Sequence, residues 1–348
     1  MSLNIIIPGK ISKSLSQMVK AATNHVPTVI IKHPNSLPDL TNKKILFAVQ
    51  LDPLGFNPSF FQILSALYAK GHDALSGSSA GIIVHSPNDL YTKSISKNII
   101  FLANQLGCRF IGHPMVEATK NFNNFRAWQK IYDLSLEEIC YDRCKNLVDR
   151  LMKDDPMLIT NPKILALHSS SYKTSNTLML WEMIKKHLNH CHIKELHVEN
   201  GTVKDCIGCS FKTCVHYSKQ SSCFYGGFMV EEILPAIEAS DAIFWLCPNY
   251  NDAVSANLMA VINRLTSLYR KTPFYDKTLF SVIVSGSSGS DSVAKQLIDA
   301  LNMNKGFRLP PYFAQMATAN DPKTVKYISH IEEHAKSFAK NIIMEIKA

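Results

Sequence analysis

Three short stretches of the chain carry side chains that could do chemistry. The first, His168-Ser-Ser-Ser-Tyr-Lys-Thr-Ser-Asn-Thr177, gathers the hydroxyls of Ser170, Ser171, Ser175 and Thr177, the Asn176 amide and the Lys173 ammonium. Between a strand and the helix that follows it, such a turn points N–H groups and hydroxyls at an anion. It lacks the Gly-Lys-Ser/Thr of an ATP-binding loop and the glycines of a dinucleotide fingerprint. A phosphate turn of another kind remains, or an ordinary helix cap. The second stretch, Cys247-Pro-Asn-Tyr-Asn-Asp-Ala-Val-Ser255, offers Pro248, Asn249, Tyr250, Asn251, Val254 and Ser255. A flat heteroaromatic ring needs such a surface, apolar across its face and lined with amides at its edge. The third, Ser285-Gly-Ser-Ser-Gly-Ser-Asp291, ends a strand in small residues, and at Ser285, Gly286 and Ser287 backbone can approach a ring closely.

A fourth stretch is rich in sulfur. Cys206, Cys209, Cys214 and Cys223 are spaced so that four thiols can converge on one centre. Thiolates bind an iron–sulfur cluster or zinc, and the short first spacing suits either. The wider later spacings favour metal-free thiols over a cluster. Lys204, Lys212 and Lys219 would offset a cluster's negative charge or serve an acidic partner. Two other patterns read as structural. His330-Ile-Glu-Glu-His334 has the spacing of one zinc-peptidase motif but sits on the last helix without a third ligand. Cys140 and Cys144, one helical turn apart, mark a half-buried helix face.

Parallel strands feeding helices would position these stretches, because apolar runs alternate with amphipathic ones almost throughout. The first part reads as strands near Ile5–Ile7, Thr28–Ile31, Ile45–Gln50, Gly81–His85 and Arg109–Gly112, with helices over Ser59–Lys70 and Tyr91–Leu106. Phe122–Lys153 reads as a connecting helical segment, ended by Asp154-Asp155-Pro156. The boundary expected there divides residues 1–155, a smaller α/β domain with its helical connector, from 156–348. The second part restarts with strands Lys163–Leu167, Ile193–Val198, Ala242–Leu246 and Leu279–Val284, and one near Tyr312–Met316. Its expected helices are Thr177–Asn189, Val230–Ala239, Ser255–Arg270, Ser292–Asn302 and Lys323–Ile346. Five strands alternating with five helices describe a doubly wound parallel sheet of flavodoxin type, strand order 2-1-3-4-5. The three ligand-like stretches then end strands one, three and four of one sheet. A faint echo links Lys44-Ile-Leu-Phe-Ala to Lys163-Ile-Leu-Ala-Leu, and Ile82–Asn88 to Phe244–Asn249, as if two halves were duplicates and the first had lost a stretch.

Composition narrows the function classes. The 348 residues are 46% hydrophobic and 19% charged, which is globular and not disordered. The net charge of +9 comes from scattered lysines, so nucleic acid is not the expected partner. No apolar run spans a bilayer, and no basic cluster precedes Ile5–Ile7, so neither a membrane nor a secretory leader is expected. Nine cysteines, an odd number, suit reduced thiols in a cytoplasm.

At this point the residues resemble a known family, the NADPH-dependent FMN reductases and iron–sulfur flavoproteins of flavodoxin-like fold. The family's Gly-Ser-x-Arg-x-x-Ser/Gly-Asn-Thr lays onto Ser169–Thr177, its Ser-Pro-x-Tyr-x-x-x-Val-Ser onto Cys247–Ser255, and its Cys-x-Gly-Cys onto Cys206–Cys209. Tyr172 stands where an arginine is usual and Ser169 where the first glycine is, which leaves Lys173 to supply the charge. The resemblance covers about 185 residues and excludes the first 155. It implies bound FMN, NADH or NADPH as co-substrate, and a small-molecule or protein electron acceptor such as a quinone, a flavin or an aromatic compound. A homo-oligomer and a cytoplasmic location go with it. The other reading is a non-catalytic electron carrier or redox-responsive binding protein. The first domain is expected to bind no flavin, since its turn Leu51–Pro58 offers two prolines and an acid.

Overall fold

The structure is a computed structural model, and it describes residues 2–156, 158–170 and 174–348. Ser171 and Lys173, named above with Tyr172, lie outside the described residues. The chain divides into two compact units, Met1–Asp155 and Pro156–Ala348.

The first unit is built on β1 (Leu3–Ile6), β2 (Thr28–Ile31), β3 (Lys44–Gln50), β4 (Ser79–His85) and β5 (Arg109–Ala118), all parallel, in the order β2-β1-β3-β4-β5. Its helices are α1 (Lys13–Thr23), α2 (Pro58–Tyr68), α3 (Thr92–Asn104), the single turn α4 (Arg126–Gln129) and α5 (Leu136–Met152). The central strands are continuous apolar runs because helices cover both faces of a parallel sheet. α5 is not a connector. Its Ser135–Glu138 capping box starts a helix whose Ile139, Cys140, Cys144, Leu147, Val148 and Leu151 share one core with Leu3, Ile5, Leu15 and Met18. Cys140 and Cys144 are accordingly buried in that core.

The second unit carries β6 (Lys163–His168), β7 (His192–His197), β8 (Ala242–Pro248), β9 (Thr278–Ser285) and β10 (Ala314–Thr318), again all parallel. The order β10-β9-β8-β6-β7 is 2-1-3-4-5 counted within the unit, a flavodoxin-like doubly wound sheet. Its helices are α6 (Asn176–Lys185), α7 (Phe211–Ser218), α8 (Leu234–Ala239), α9 (Ala256–Arg264), α10 (Thr266–Lys271), α11 (Ser290–Leu297) and α12 (Ile331–Ile346). One face is sealed by aromatic packing: Trp181 meets Phe244 at 4.8 Å, and Phe244 stacks on Phe280 at 5.0 Å. These contacts join α6 to the amino-terminal halves of β8 and β9.

Several expected helices are interrupted, each for a local reason. The Val230–Ala239 helix opens with a π turn over Met229–Ile233, where Pro235 clashes with the carbonyl four residues back and lacks an N–H. Lys323–Ile346 is a 3-10 turn, Thr324–Tyr327, then α12, separated at His330, whose φ is 58°. Ser255–Arg270 splits at Leu265 into α9 and α10. The last strand starts two residues late because Tyr312 has a φ of 50°, which no strand tolerates. The internal echo is also displaced. Lys44 begins the third strand of its sheet and Lys163 the first of the other, so no missing stretch separates the halves. What the two units share is strand order.

Candidate functional site

β6 and β8 are neighbours, and their chain connections leave on opposite sides, so a crevice opens beyond their carboxyl ends. A cavity of about 350 Å³ lies there. It brings together Ser170, Ser175, Asn176 and Thr177 from the turn after β6, Pro248, Asn249 and Tyr250 after β8, and Gly286 after β9. Thr174, Val284, Ala319, Asn320 and Pro322 complete the lining. Asn251, Val254, Ser255, Ser285 and Ser287, also expected at the site, do not line it.

The turn after β6 ends in a capped helix. Ser175 is the N-cap of α6, its hydroxyl accepting from the Leu178 N–H at 3.4 Å and donating to Ser170 Oγ at 3.1 Å. The N–H groups of Asn176 and Thr177, first in the helix, have no intrahelical acceptor and face the end where the helix dipole favours negative charge. The Asn176 side chain has a different use from the one expected. Its amide donates to Ala319 O at 3.0 Å and Asp321 O at 2.8 Å, and its Oδ1 accepts from the Val325 N–H at 3.2 Å. It therefore ties the loop after β10 to the start of α6. An anion is left to that helix start and to the hydroxyls, Thr177 among them, which is buried at the cavity wall.

The loop after β8 is held from below. The Asn249 amide donates to Ser285 Oγ at 2.9 Å, Ser288 O at 2.9 Å and Asp252 Oδ1 at 3.2 Å, while its own N–H donates to Val284 O at 2.9 Å. Ser285 Oγ pairs further with Ser290 Oγ at 2.6 Å, so Ser285 braces the loop instead of lining the cavity. Val254 is buried, its N–H donating to Gln296 Oε1 at 3.1 Å, and Ser255 stands at the N-terminal cap position of α9 without a side-chain capping bond, its hydroxyl pairing with Ser169 Oγ at 2.8 Å. Asn251 and Asp252 both have positive φ, 54° and 56°, and turn outward. That twist leaves Tyr250 more than half exposed at the cavity mouth. Ser287 is exposed beyond the rim.

Residues 319–322 are what sequence reasoning missed. Ala319 N–H bonds Ser285 O at 2.9 Å, continuing the β9–β10 ladder, and Asn320 Oδ1 would lie 3.0 Å from a Cβ added at Gly286. The signal was there in kind: Ala317-Thr-Ala-Asn-Asp-Pro322 is a strand end running into a turn, like the other three.

The cysteine loop forms a separate pocket of about 230 Å³, and all four of its thiols line it. Among the described residues no group of three or more His, Cys, Asp or Glu side chains is placed to hold a metal ion. Cys209 Sγ lies 3.6 Å from Tyr225 Oη, and that contact, with burial, pushes the phenol up to about 12. His330, of the peptidase-like pattern, pairs instead with Glu333 at 2.6 Å on an exposed helix start.

Comparison with known proteins bears on the second unit. Residues 162–321 match the model of the family described as NADPH-dependent FMN reductase. The resemblance seen in the serine turn and the Pro-Asn-Tyr loop is thus met over those residues; its iron–sulfur branch is not part of the match. No curated protein matches the chain. Among solved structures, the chain is similar to RosB with a bound 8-demethyl-8-formylriboflavin-5'-phosphate intermediate, at TM-score 0.41 and 14% identity over 53% of this chain and 81% of that one. It is also similar to the NAD(P)H:quinone oxidoreductase of Methanothermobacter marburgensis, at TM-score 0.39 and 12% identity over 53% of this chain and all of that one. A WrbA-like flavodoxin of Agrobacterium tumefaciens gives TM-score 0.36 and 13% identity over 53% of this chain and 98% of that one. At these scores the likenesses add nothing to the fold already given by strand order. No helix among the described residues is long and apolar enough to cross a membrane.

Proposed function

With residues 162–321 matching the NADPH-dependent FMN reductase model, we propose that the chain is an FMN-dependent oxidoreductase. It takes reducing equivalents from NADH or NADPH and delivers them to a small-molecule or protein acceptor, a quinone, flavin or aromatic compound among them. The observation that carries this reading is the convergence of four strand ends on one cavity of about 350 Å³, within the range of small-ligand and cofactor sites.

The residues present fit FMN. The first N–H groups of α6, with Ser170, Ser175 and Thr177, would hold its phosphate. Pro248, Asn249 and Tyr250 would face the ring, and Asn249 Oδ1, buried without a partner, is an acceptor awaiting a donor. Gly286 keeps backbone clear where a Cβ would press on Asn320. When bound, the flavin supplies the hydride and electron chemistry. The chain's own work is to bind, orient and exclude water: no lining side chain is placed as a general acid or base, so none is assigned that role. The same reading extends to a cytoplasmic homo-oligomer with neither nucleic acid nor membrane as partner.

The test has two parts. Purified chain should bind FMN, and the loaded protein should oxidise NADH or NADPH when a quinone or free flavin is added. Flavin binding without turnover on any acceptor would favour an electron carrier instead. Failure to bind FMN would overturn the proposal.

A further inference from the structure

The pocket beside the cysteine loop poses a charge problem. Arg264 is only 3% exposed, yet its acceptors are neutral carbonyls, Gly226 O at 2.9 Å and Lys204 O at 3.4 Å. Its Nε is buried without a partner. Arg270 joins it in the lining and donates from Nε to Cys214 Sγ at 3.3 Å. Arg270 is exposed at the rim; the second buried cation is Lys305, which donates to Thr266 Oγ1, also in the lining, at 3.0 Å. No Asp or Glu lines the pocket. The nearby acid of the loop, Asp205, is not itself in the lining; its Oδ1 is taken up by two lining residues, accepting from Asn263 Nδ2 at 2.9 Å and the Cys206 N–H at 2.7 Å. Buried cations whose acceptors are all neutral are poorly compensated, and an anion entering the pocket would relieve them.

The rest of the lining says what kind of anion. Tyr217, Phe224 and Tyr225 form a chain of edge-to-face rings, 5.6 Å and 5.2 Å between centroids. Sulfur atoms occupy much of the remaining wall, and sulfur packs well against the edges of rings. At about 230 Å³ the pocket is smaller than those that take drug-sized molecules, roughly 300–1,000 Å³. We infer that it binds a single-ring aromatic carboxylate, the carboxylate held by Arg264 and Arg270 and the ring packed among Tyr217, Phe224 and Tyr225. A guanidinium fork meets a planar carboxylate with two parallel hydrogen bonds, which a lone ammonium cannot do.

The loop thiols are built-in reporters of occupancy. The experiment alkylates the purified full chain with iodoacetamide and follows each cysteine by peptide mass mapping, with and without benzoate. Saturating benzoate should slow Cys209 and Cys214 by about tenfold, as expected when about nine-tenths of the sites are filled. Cys191, outside the pocket, should react at an unchanged rate. Acetate and benzyl alcohol, each carrying half of the ligand's chemistry, should protect far less. Arg270→Gln should weaken benzoate protection, and Phe224→Leu should weaken it without creating protection by acetate. The inference falls if benzoate does not protect, if acetate or benzyl alcohol protects equally, or if the purified protein carries stoichiometric iron or zinc on these thiols.

Discussion

The imidazole rings of His168 and His197 lie face to face, 4.7 Å apart at their centroids and 6° from parallel. They are register partners at the carboxyl ends of β6 and β7, directly before the turn that starts the crevice. Burial first, and then the neighbouring His197, hold His168 below the usual imidazole range, against smaller opposing effects of the Ser170 backbone and Glu195. Nδ1 of His168 and Nε2 of His197 are buried without partners.

This arrangement gives stability a pH dependence. Between the lowered His168 value and about 6.5, the unfolded chain binds more protons than the folded one. Stability is therefore full above that window, falls as pH drops through it, and levels off below the folded value. His85 of the first unit, lowered by burial, contributes with the same sign. Thermal midpoints of flavin-free protein, measured from about pH 8 to about pH 5, should fall less steeply in His168→Asn than in the parent. Equal slopes would show that His168 is not held low.

Asn176 and Thr177 are neighbours with different tasks. Asn176→Ala removes three hydrogen bonds to the loop after β10, two of them part-buried and one exposed, and should cost about 1 kcal/mol or somewhat more in unfolding free energy. Thr177→Ala should leave stability closer to the parent and weaken FMN binding. Urea titrations and flavin-fluorescence titrations separate the two. A Thr177→Ala protein that binds FMN like the parent would remove that hydroxyl from the phosphate site.

The two glycines after β9 should also part company. A Cβ at Gly289 would sit 1.9 Å from Asp252 Oδ1, and the residue has a φ of 85°. Gly289→Ala should therefore lower stability by more than about 1 kcal/mol and loosen the Tyr250 loop. At Gly286 the nearest obstacle is Asn320 Oδ1 at 3.0 Å, inside the cavity. Gly286→Ala should fold like the parent and bind FMN more weakly. Parental FMN affinity in that variant would mean the backbone there is not approached.

Thiol reactivity should divide the cysteines into two groups. Cys108, Cys140, Cys144 and Cys247 are buried, and burial pushes Cys247 up to about 12. These four should react with a chromogenic disulfide only after unfolding, whereas Cys191 and the loop thiols react in the native protein. Rapid native reaction of Cys247 would contradict the packing of β8.

The central strands were legible because they are buried on both faces and so are continuous apolar runs, β8 and β9 above all. The serine turn was legible because its hydroxyls and amide are adjacent in the chain. α1 was passed over although its buried Leu15, Met18 and Ala22 stand at i, i+3 and i+7, a helical period carried by only three of eleven residues. α7, inside the cysteine loop, has only Ser218 buried. Asn176 illustrates a deeper limit. Its type suggested a ligand donor, but its partners lie 143 and more residues away, brought close only by the strand order of the sheet. Cys223 shows the reverse: far from Cys206 in the loop, it nonetheless reaches the same pocket.

The place of β10 in the sheet governs when the crevice can exist during synthesis. The ribosome delivers the α6 turn, the Tyr250 loop and the Gly286 loop well before Ala319–Pro322, and Asn176 has no acceptors for its amide until those last residues emerge. A nascent chain stopped before residue 319 has three walls of the site and an unanchored helix start. On the proposed function, FMN loading would be a late event in the birth of the protein, coupled to closure of the sheet by its final edge strand and not to the appearance of the serine turn.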